Sequence, residues 1–268
     1  MTRKSGFVAI LSHFFLFCNF AASLSSSMDP DMCAVDALLW PAAQRGDCAQ
    51  VCRALSDCAQ VYRSDGGIRW APVDAALAIA IENDHVAVVD AVLKYIHICD
   101  PARSWHLPIM IAMKAGHVSV VKFLLSDLVV RQRVFVQEFN ASDVSPLMQG
   151  VACGSCEAVK LLLDTFYDCA RELVLRPLRK WNGMPLRGME HIYPLYCAVG
   201  RNDTRMVKIL LDVLPQGAAL RRKCYLMCKS ALYLAVARGN RAAEKILRHR
   251  LKGAAHRASK RACHPLSK

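Results

Sequence analysis

The sequence has little glycine and proline, with 13 and 11 residues among 268, and no apolar run longer than about 18 residues. Low-complexity and collagen-like chains are rich in those two residues, and disordered chains lack the 54% of apolar residues present here. A membrane protein with several spans needs several apolar runs of about 20 residues. The composition therefore indicates a folded protein of one or two ordinary domains.

Acidic residues are also scarce, because 22 Asp and Glu stand against 35 Lys and Arg, giving a formal net charge of +13. Nine of the basic residues lie within 241–268, where Glu244 is the one acidic residue. We assign 252–268 as a basic C-terminal tail. Such a charge excess favours an acidic partner, which includes nucleic acid, an anionic membrane surface or an acidic protein patch, or it is a solvated end.

Motifs of the common enzyme classes are missing. The phosphate-binding loop, the nucleophile elbow, the HExxH zinc motif and the dinucleotide fingerprint do not occur. Cysteine and histidine spacings do not match a zinc site. Cys153 and Cys156 have C-x-x-C spacing, but no strand pattern precedes them as a thiol oxidoreductase requires, so we interpret them as structural. The sequence predicts a non-enzymatic protein without a cofactor or metal.

Residues 1–27 have the pattern of an export signal, with Arg3 and Lys4 before an apolar run over 7–22 and small residues after it. This predicts a periplasmic or secreted protein with no integral membrane span after residue 27. The alternative is that Met28 is the true start, which predicts a cytoplasmic protein with a non-native extension. The 13 cysteines fit either disulfides in an exported protein or buried thiols, and we favour thiols for most of them.

One pattern recurs six times, starting at Leu39, Leu77, Ile109, Leu147, Leu195 and Leu232, at intervals of 38, 32, 38, 48 and 37 residues. The fourth position is small in each copy, as two closely approaching helices require: Ala42, Ala80, Ala112, Gly150, Ala198 and Ala235. The eighth position holds residues that tolerate a left-handed turn: Gly46, Asp84, Gly116, Gly154, Asn202 and Gly239. The thirteenth position is Val in five copies and Glu244 in the last, which predicts that the last copy caps the array.

These segments resemble ankyrin repeats. In LPIMIAMKAGHVSVVKFLL the family pattern is followed at Pro108, Ala112, Gly116, His117 and Val120. The resemblance covers 38–251, so we assign 28–251 as an ankyrin repeat domain of about six divergent repeats. It implies an all-α solenoid of stacked helix-turn-helix repeats. No copy has the glycine of the family's projecting β-turn finger, which predicts irregular or helical connections, with a surface loop at 176–190.

The resemblance implies a non-catalytic scaffold that binds another protein through the concave face of the stack. Six candidate contact residues occupy the sixth or seventh position of a repeat: Arg45, Glu82, Asn83, Lys114, Arg201 and Arg238. Trp105 and Trp181, in two connections, are candidate anchors. The basic charge of this set favours a partner protein with an acidic patch. The alternative function is binding of nucleic acid or an anionic surface through the tail and the 176–190 loop.

Overall fold

The computed structural model describes residues 34–64, 70–99, 106–128, 130–132, 134–135, 144–177, 180–181, 184–185, 192–214 and 222–262. Eight of the described helices form four pairs: α1 (Ala34–Arg45) with α2 (Cys48–Ser64), α3 (Trp70–Glu82) with α4 (Val86–Cys99), α5 (His106–Ala115) with α6 (Val118–Ser126), and α7 (Pro146–Cys153) with α8 (Cys156–Thr165). Two more pairs follow a longer connection: α10 (Pro194–Gly200) with α11 (Thr204–Asp212), and α12 (Arg222–Ala237) with α13 (Arg241–Ala262). We call the six described pairs units one to six.

The units stack side by side in two layers. The first helices, α1, α3, α5, α7, α10 and α12, each pack on the first helix of the next unit. The second helices, α2, α4, α6, α8, α11 and α13, form the other layer in the same order. The all-α solenoid expected from the sequence is therefore confirmed.

Small residues at the fourth position let the helices approach closely. All six are buried. A Cβ atom on Gly150 would lie 2.5 Å from Met113 Cε of the preceding unit and 2.7 Å from Val159 Cγ2 of its own. Such distances are too short for carbon atoms in contact, so a larger residue would push the helices apart.

The eighth position ends each first helix in the left-handed conformation, as predicted. Its φ angle is positive in every unit: 73° at Gly46, 59° at Asp84, 77° at Gly116, 81° at Gly154, 61° at Asn202 and 67° at Gly239. In five units the N–H of the next residue donates to the fourth-position carbonyl, for example from Ser155 to Gly150 over 2.9 Å. This Schellman arrangement satisfies carbonyls that the helix end would leave unpaired, and it reverses the chain into the second helix.

The connection between units four and five differs from the others. It contains a short 3₁₀ helix (Tyr167–Cys169), α9 (Ala170–Val174) and two strands, β1 (Lys180–Trp181) and β2 (Met184–Pro185). The strands pair antiparallel, with Trp181 opposite Met184. A hairpin therefore lies within 176–190, where the sequence predicts a surface loop. Its physical reason is the intervening Asn182-Gly183 sequence, a pair that favours two-residue hairpin turns.

The C-terminal tail begins inside a helix. α13 continues from unit six through residue 252 and ends at Ala262. The basic residues from Arg241 to Arg261 therefore belong to one continuous helix. Among the described helices, none has both the length and the apolar content that crossing a bilayer requires.

Candidate functional site

The candidate site is the edge of the stack where the first helices end. We call this edge the turn ridge and define it as the sixth and seventh positions of the units: Gln44, Arg45, Glu82, Asn83, Lys114, Ala115, Ala152, Cys153, Gly200, Arg201, Ala237 and Arg238. Seventh-position residues Arg45, Asn83, Ala115, Arg201 and Arg238 are exposed. Glu82 and Lys114, at the sixth position, are partly buried. The ridge is therefore a row of accessible side chains, one or two from each unit.

Histidines join the turns of the first three units. His85 Nε2 lies 3.0 Å from the carbonyl oxygen of Gln44, and His117 Nε2 lies 2.8 Å from that of Glu82. A carbonyl oxygen can only accept, so the ring nitrogen donates in both bonds. Each histidine thus connects its unit to the sixth-position carbonyl of the unit before it.

Arginines have the same role near the other end of the stack. Arg201 donates from Nη1 to the Ala152 carbonyl over 2.6 Å and from Nη2 to the Cys153 carbonyl over 3.3 Å. Arg238 donates from Nη1 to the Gly200 carbonyl over 2.9 Å. Ala152 and Gly200 are sixth-position residues, so the acceptor is the same as in the histidine units. The sequence pattern assigns Arg201 and Arg238 to partner binding alone and missed this structural role.

Two other polar residues of the ridge, Arg45 and Asn83, bond within their own unit. Arg45 Nη2 donates to Gln50 Oε1 over 2.8 Å, and Asn83 Nδ2 donates to the Ile79 carbonyl over 2.8 Å. Next to the ridge, both carboxylate oxygens of Asp84 lie within 2.7 Å of the Ser119 hydroxyl, which donates to them. Within the part of the chain that the structure describes, Arg45 and Asn83 bond inside their own units, so they are suited to substitution without loss of stacking.

The C-x-x-C pair flanks the turn of unit four. Cys156 Sγ lies 3.6 Å from Asp203 Oδ2 in unit five and donates to that carboxylate. Burial, and then the nearby Asp203 carboxylate, raise the pKa of Cys156. A raised pKa leaves less thiolate at neutral pH, which opposes a nucleophilic or redox role. These contacts favour the structural interpretation, and none of the nine cysteines whose side chains are described is in a disulfide.

The two tryptophan anchors predicted from the sequence fall outside what the structure describes. Trp105 lies outside the described residues. The backbone of Trp181 lies in β1, but its side chain is outside the described set. Neither residue is therefore located relative to the turn ridge.

Comparison with protein families identifies the repeat. A family model described as ankyrin repeats, in three copies, matches residues 77–172. The chain contains ankyrin repeats. The match extends from unit two to the connection after unit four, whereas units one, five and six lie outside it, so the count of about six repeats stays a prediction. No curated protein matches the sequence significantly.

Ankyrin repeats are protein–protein interaction modules, and proteins built from them are generally non-catalytic scaffolds. The turn ridge therefore belongs to a module whose expected partner is another protein. The basic residues on it are Arg45, Lys114, Arg201 and Arg238, against Glu82 and the neighbouring Asp84. Four basic side chains therefore stand against two acidic ones on and beside the ridge.

Proposed function

We propose that this protein is a non-catalytic scaffold that binds a partner protein through the face formed by its first helices and its turn ridge. The family resemblance implies that this face is concave. The observation that supports the proposal is the row of seventh-position side chains along this edge, which are exposed in units one, two, three, five and six and partly exposed in unit four. A row of that kind offers a partner contacts along the whole stack.

The partner would carry an acidic patch. Arg45 and Lys114 supply positive charge in units one and three. In unit two, Glu82 supplies a hydrogen-bond acceptor and Asn83 an amide, and both would help to orient the partner. Arg201 and Arg238 add positive charge while holding backbone carbonyls. Trp105 and Trp181 remain predicted anchors. Opposite charges across an interface mainly set the association rate and the choice of partner.

Affinity capture from an extract of the native organism, with two charge-reversed variants beside the wild type, tests this proposal. One variant is Arg45→Glu/Lys114→Glu on the ridge. The matched control is Lys122→Glu/Lys160→Glu, which makes the same change at exposed positions of the second-helix layer. We expect a protein that the wild type and the control retain equally and that the ridge variant retains several-fold less.

Two outcomes would contradict the proposal. Equal loss in both variants would show that net charge matters and position does not. Equal retention in all three proteins would show that binding does not use the ridge. Repeating the capture without residues 252–268 then reveals any share of binding that belongs to the tail.

A second candidate function is binding of nucleic acid or an anionic surface through the C-terminal basic residues and the 176–190 loop. The continuity of α13 through Ala262 favours it, because one helix then carries the basic residues from Arg241 to the tail. A salt titration of duplex DNA binding distinguishes the two functions. Binding that weakens steeply as salt rises supports the second function, whereas capture of one protein with little salt dependence supports the first.

A further inference from the structure

The last unit leaves uncovered a helix face that the other units bury. The fifth position of each first helix packs toward the following unit: Ala43, Ile81, Met113, Val151 and Val199 are at most 1% exposed. In unit six the same position is Val236, which is 47% exposed. Among the described residues, no helix pair follows unit six. A Cβ atom on Gly239, in the last turn, would also meet no described atom within 4 Å.

The uncovered face carries an apolar stripe along α12. Leu226 is 50% exposed, Tyr233 is 64% exposed, and Val236 completes the stripe. Residues seven and ten places apart lie within one side of a helix, so the three side chains line up along its axis. We call these three residues the terminal stripe. Contiguous exposed apolar side chains, including an aromatic one, are typical of an interaction surface.

The second helix of the last unit, α13, has polar residues where the second helices of the other units have apolar ones. In units one to five the thirteenth and seventeenth positions are buried Val and Leu, whereas unit six has Glu244 and Arg248 there. Arg248 Nε donates to Glu244 Oε1 over 2.7 Å. The polar residue from which the sequence predicts a cap, Glu244, therefore lies on α13, whereas α12 has the apolar Val236 at its fifth position. A complete further repeat would have to bury this ion pair, whereas a single helix lying on α12 would not.

Charge around the terminal stripe limits what that helix can be. Residues 222–252 contain nine Lys and Arg and one acidic residue, Glu244, whose carboxylate accepts from Arg248. Lys223 and Lys229, next to the stripe on α12, are exposed. A second copy of the chain would bring the same basic residues against each other, and each copy carries +13. Self-association through this face is therefore disfavoured.

We propose that the terminal stripe docks one amphipathic helix of a partner protein, with the apolar side of that helix on Leu226, Tyr233 and Val236 and with Asp and Glu along its flanks. Helices of this kind bind by placing apolar residues, spaced three or four apart, against an apolar surface. The site lies at the end of the stack, in unit six, away from the ridge residues Arg45 and Lys114 of units one and three.

A displayed library of amphipathic helices with randomised flanking positions tests the proposal, using the full-length chain as the target. We expect the selected helices to be acidic at the flanks. Fluorescence anisotropy with a selected peptide should show at least about tenfold weaker binding to Leu226→Gln/Tyr233→Gln. The matched control, Ile98→Gln/Leu128→Gln, removes apolar side chains that are 80% and 56% exposed and lie elsewhere, and it should bind as the wild type does.

Three results would overturn the proposal. Selected helices that bind the stripe variant and the wild type equally do not use this face. Basic or uncharged selected flanks would contradict the charge argument. Self-association of the wild type in sedimentation that the stripe variant abolishes would show that a second copy occupies the face. Arg45→Glu/Lys114→Glu should bind the peptide normally, which separates this site from the turn ridge.

Discussion

Units two and three are tied to their predecessors by histidines, whereas units five and six are tied by arginines. His85 and His117 reach the carbonyl from the ninth position, and Arg201 and Arg238 reach it from the seventh. A guanidinium carries five donors and a permanent charge, so it can hold a carbonyl and still make the surface basic. The sixth-position carbonyl of the preceding unit is therefore bound by a histidine in two units and by an arginine in two others. Only the arginine adds permanent positive charge to the ridge.

The largest losses of stability are expected when the turn glycines are replaced. Gly46 faces the rigid ring of His85, whereas Gly154 faces the flexible side chain of Arg201. A Cβ atom at Gly46 would lie 2.8 Å from His85 Nδ1, and one at Gly154 would lie 2.9 Å from Arg201 Nη2. The φ angle is positive at both, so alanine costs about 1–2 kcal/mol through the backbone alone. Both side chains are hydrogen-bonded, but the long Arg201 side chain can shift by rotation about its single bonds, whereas the imidazole of His85 is a rigid ring. We therefore expect Gly46→Ala to lower the free energy of unfolding more than Gly154→Ala.

Gly239→Ala is the control for these variants, because Gly239 has a φ of 67° and no described atom near its missing Cβ. It should show the backbone cost alone. Urea unfolding of the three proteins gives the comparison. Equal losses at Gly46 and Gly239 would mean that the contact with His85 contributes nothing.

The next largest losses of stability are expected when the hydrogen bonds between units are removed. We expect Arg201→Ala and His117→Ala each to lower the free energy of unfolding by about 1 kcal/mol, since each leaves a helix-end carbonyl to water.

Sequence reasoning alone predicts that reversing Arg201 and Arg238 to Glu leaves the fold intact. The structure predicts instead that this double variant melts several degrees below the wild type, because a carboxylate cannot donate to the Ala152 and Gly200 carbonyls. An unchanged melting temperature would show that these bonds are dispensable.

The smallest effects concern the thiols, which also differ between the two ends of the stack. Cys52 in unit one is exposed, whereas Cys228 in unit six is fully buried. Burial raises the pKa of Cys228 to about 11, so this thiol stays protonated below that pH. Iodoacetamide at pH 8 should modify Cys52 within minutes and leave Cys228 unmodified until the protein unfolds, as mass spectrometry of the digested protein would show.

The helical circular-dichroism signal should also survive strong reductant. The nine cysteines whose side chains are described form no disulfide, so reduction breaks no bond among them. Loss of helical signal on reduction would favour an exported protein with a disulfide framework. Rapid modification of Cys228 in the folded protein would show that unit six opens readily.

The turn positions and the small residues of the core could be predicted from the sequence because each depends on local backbone geometry repeated in every unit. Gly46, Asp84 and Asn202 were identified by their tolerance of positive φ, and the structure has positive φ at all three. The bonds of Arg201 and Arg238 could not be predicted in this way. They join residues 38 to 49 positions apart and start from a position different from that of the histidines.

The uncovered face of α12 was also beyond sequence reasoning. Leu232 and Val236 match the apolar pattern of their repeat. Units that are followed by another described unit have the same pattern, so it does not reveal that the face of α12 is uncovered. Glu244 was a usable signal, but it applies to the second helix only. The hairpin in the 176–190 insertion had a signal as well, the Asn182-Gly183 pair, which the repeat pattern does not include.

Melting temperature and partner capture, measured together on Arg45→Glu and Arg201→Lys, test whether the turn ridge combines a structural joint with a binding surface. We expect Arg45→Glu to melt with the wild type, since Arg45 bonds only within unit one, and to retain several-fold less partner. Arg201→Lys keeps its charge but loses the paired donors, so it should melt at a lower temperature and retain the partner. Full retention of the partner by Arg45→Glu, or a stable Arg201→Lys that no longer binds it, would contradict this account.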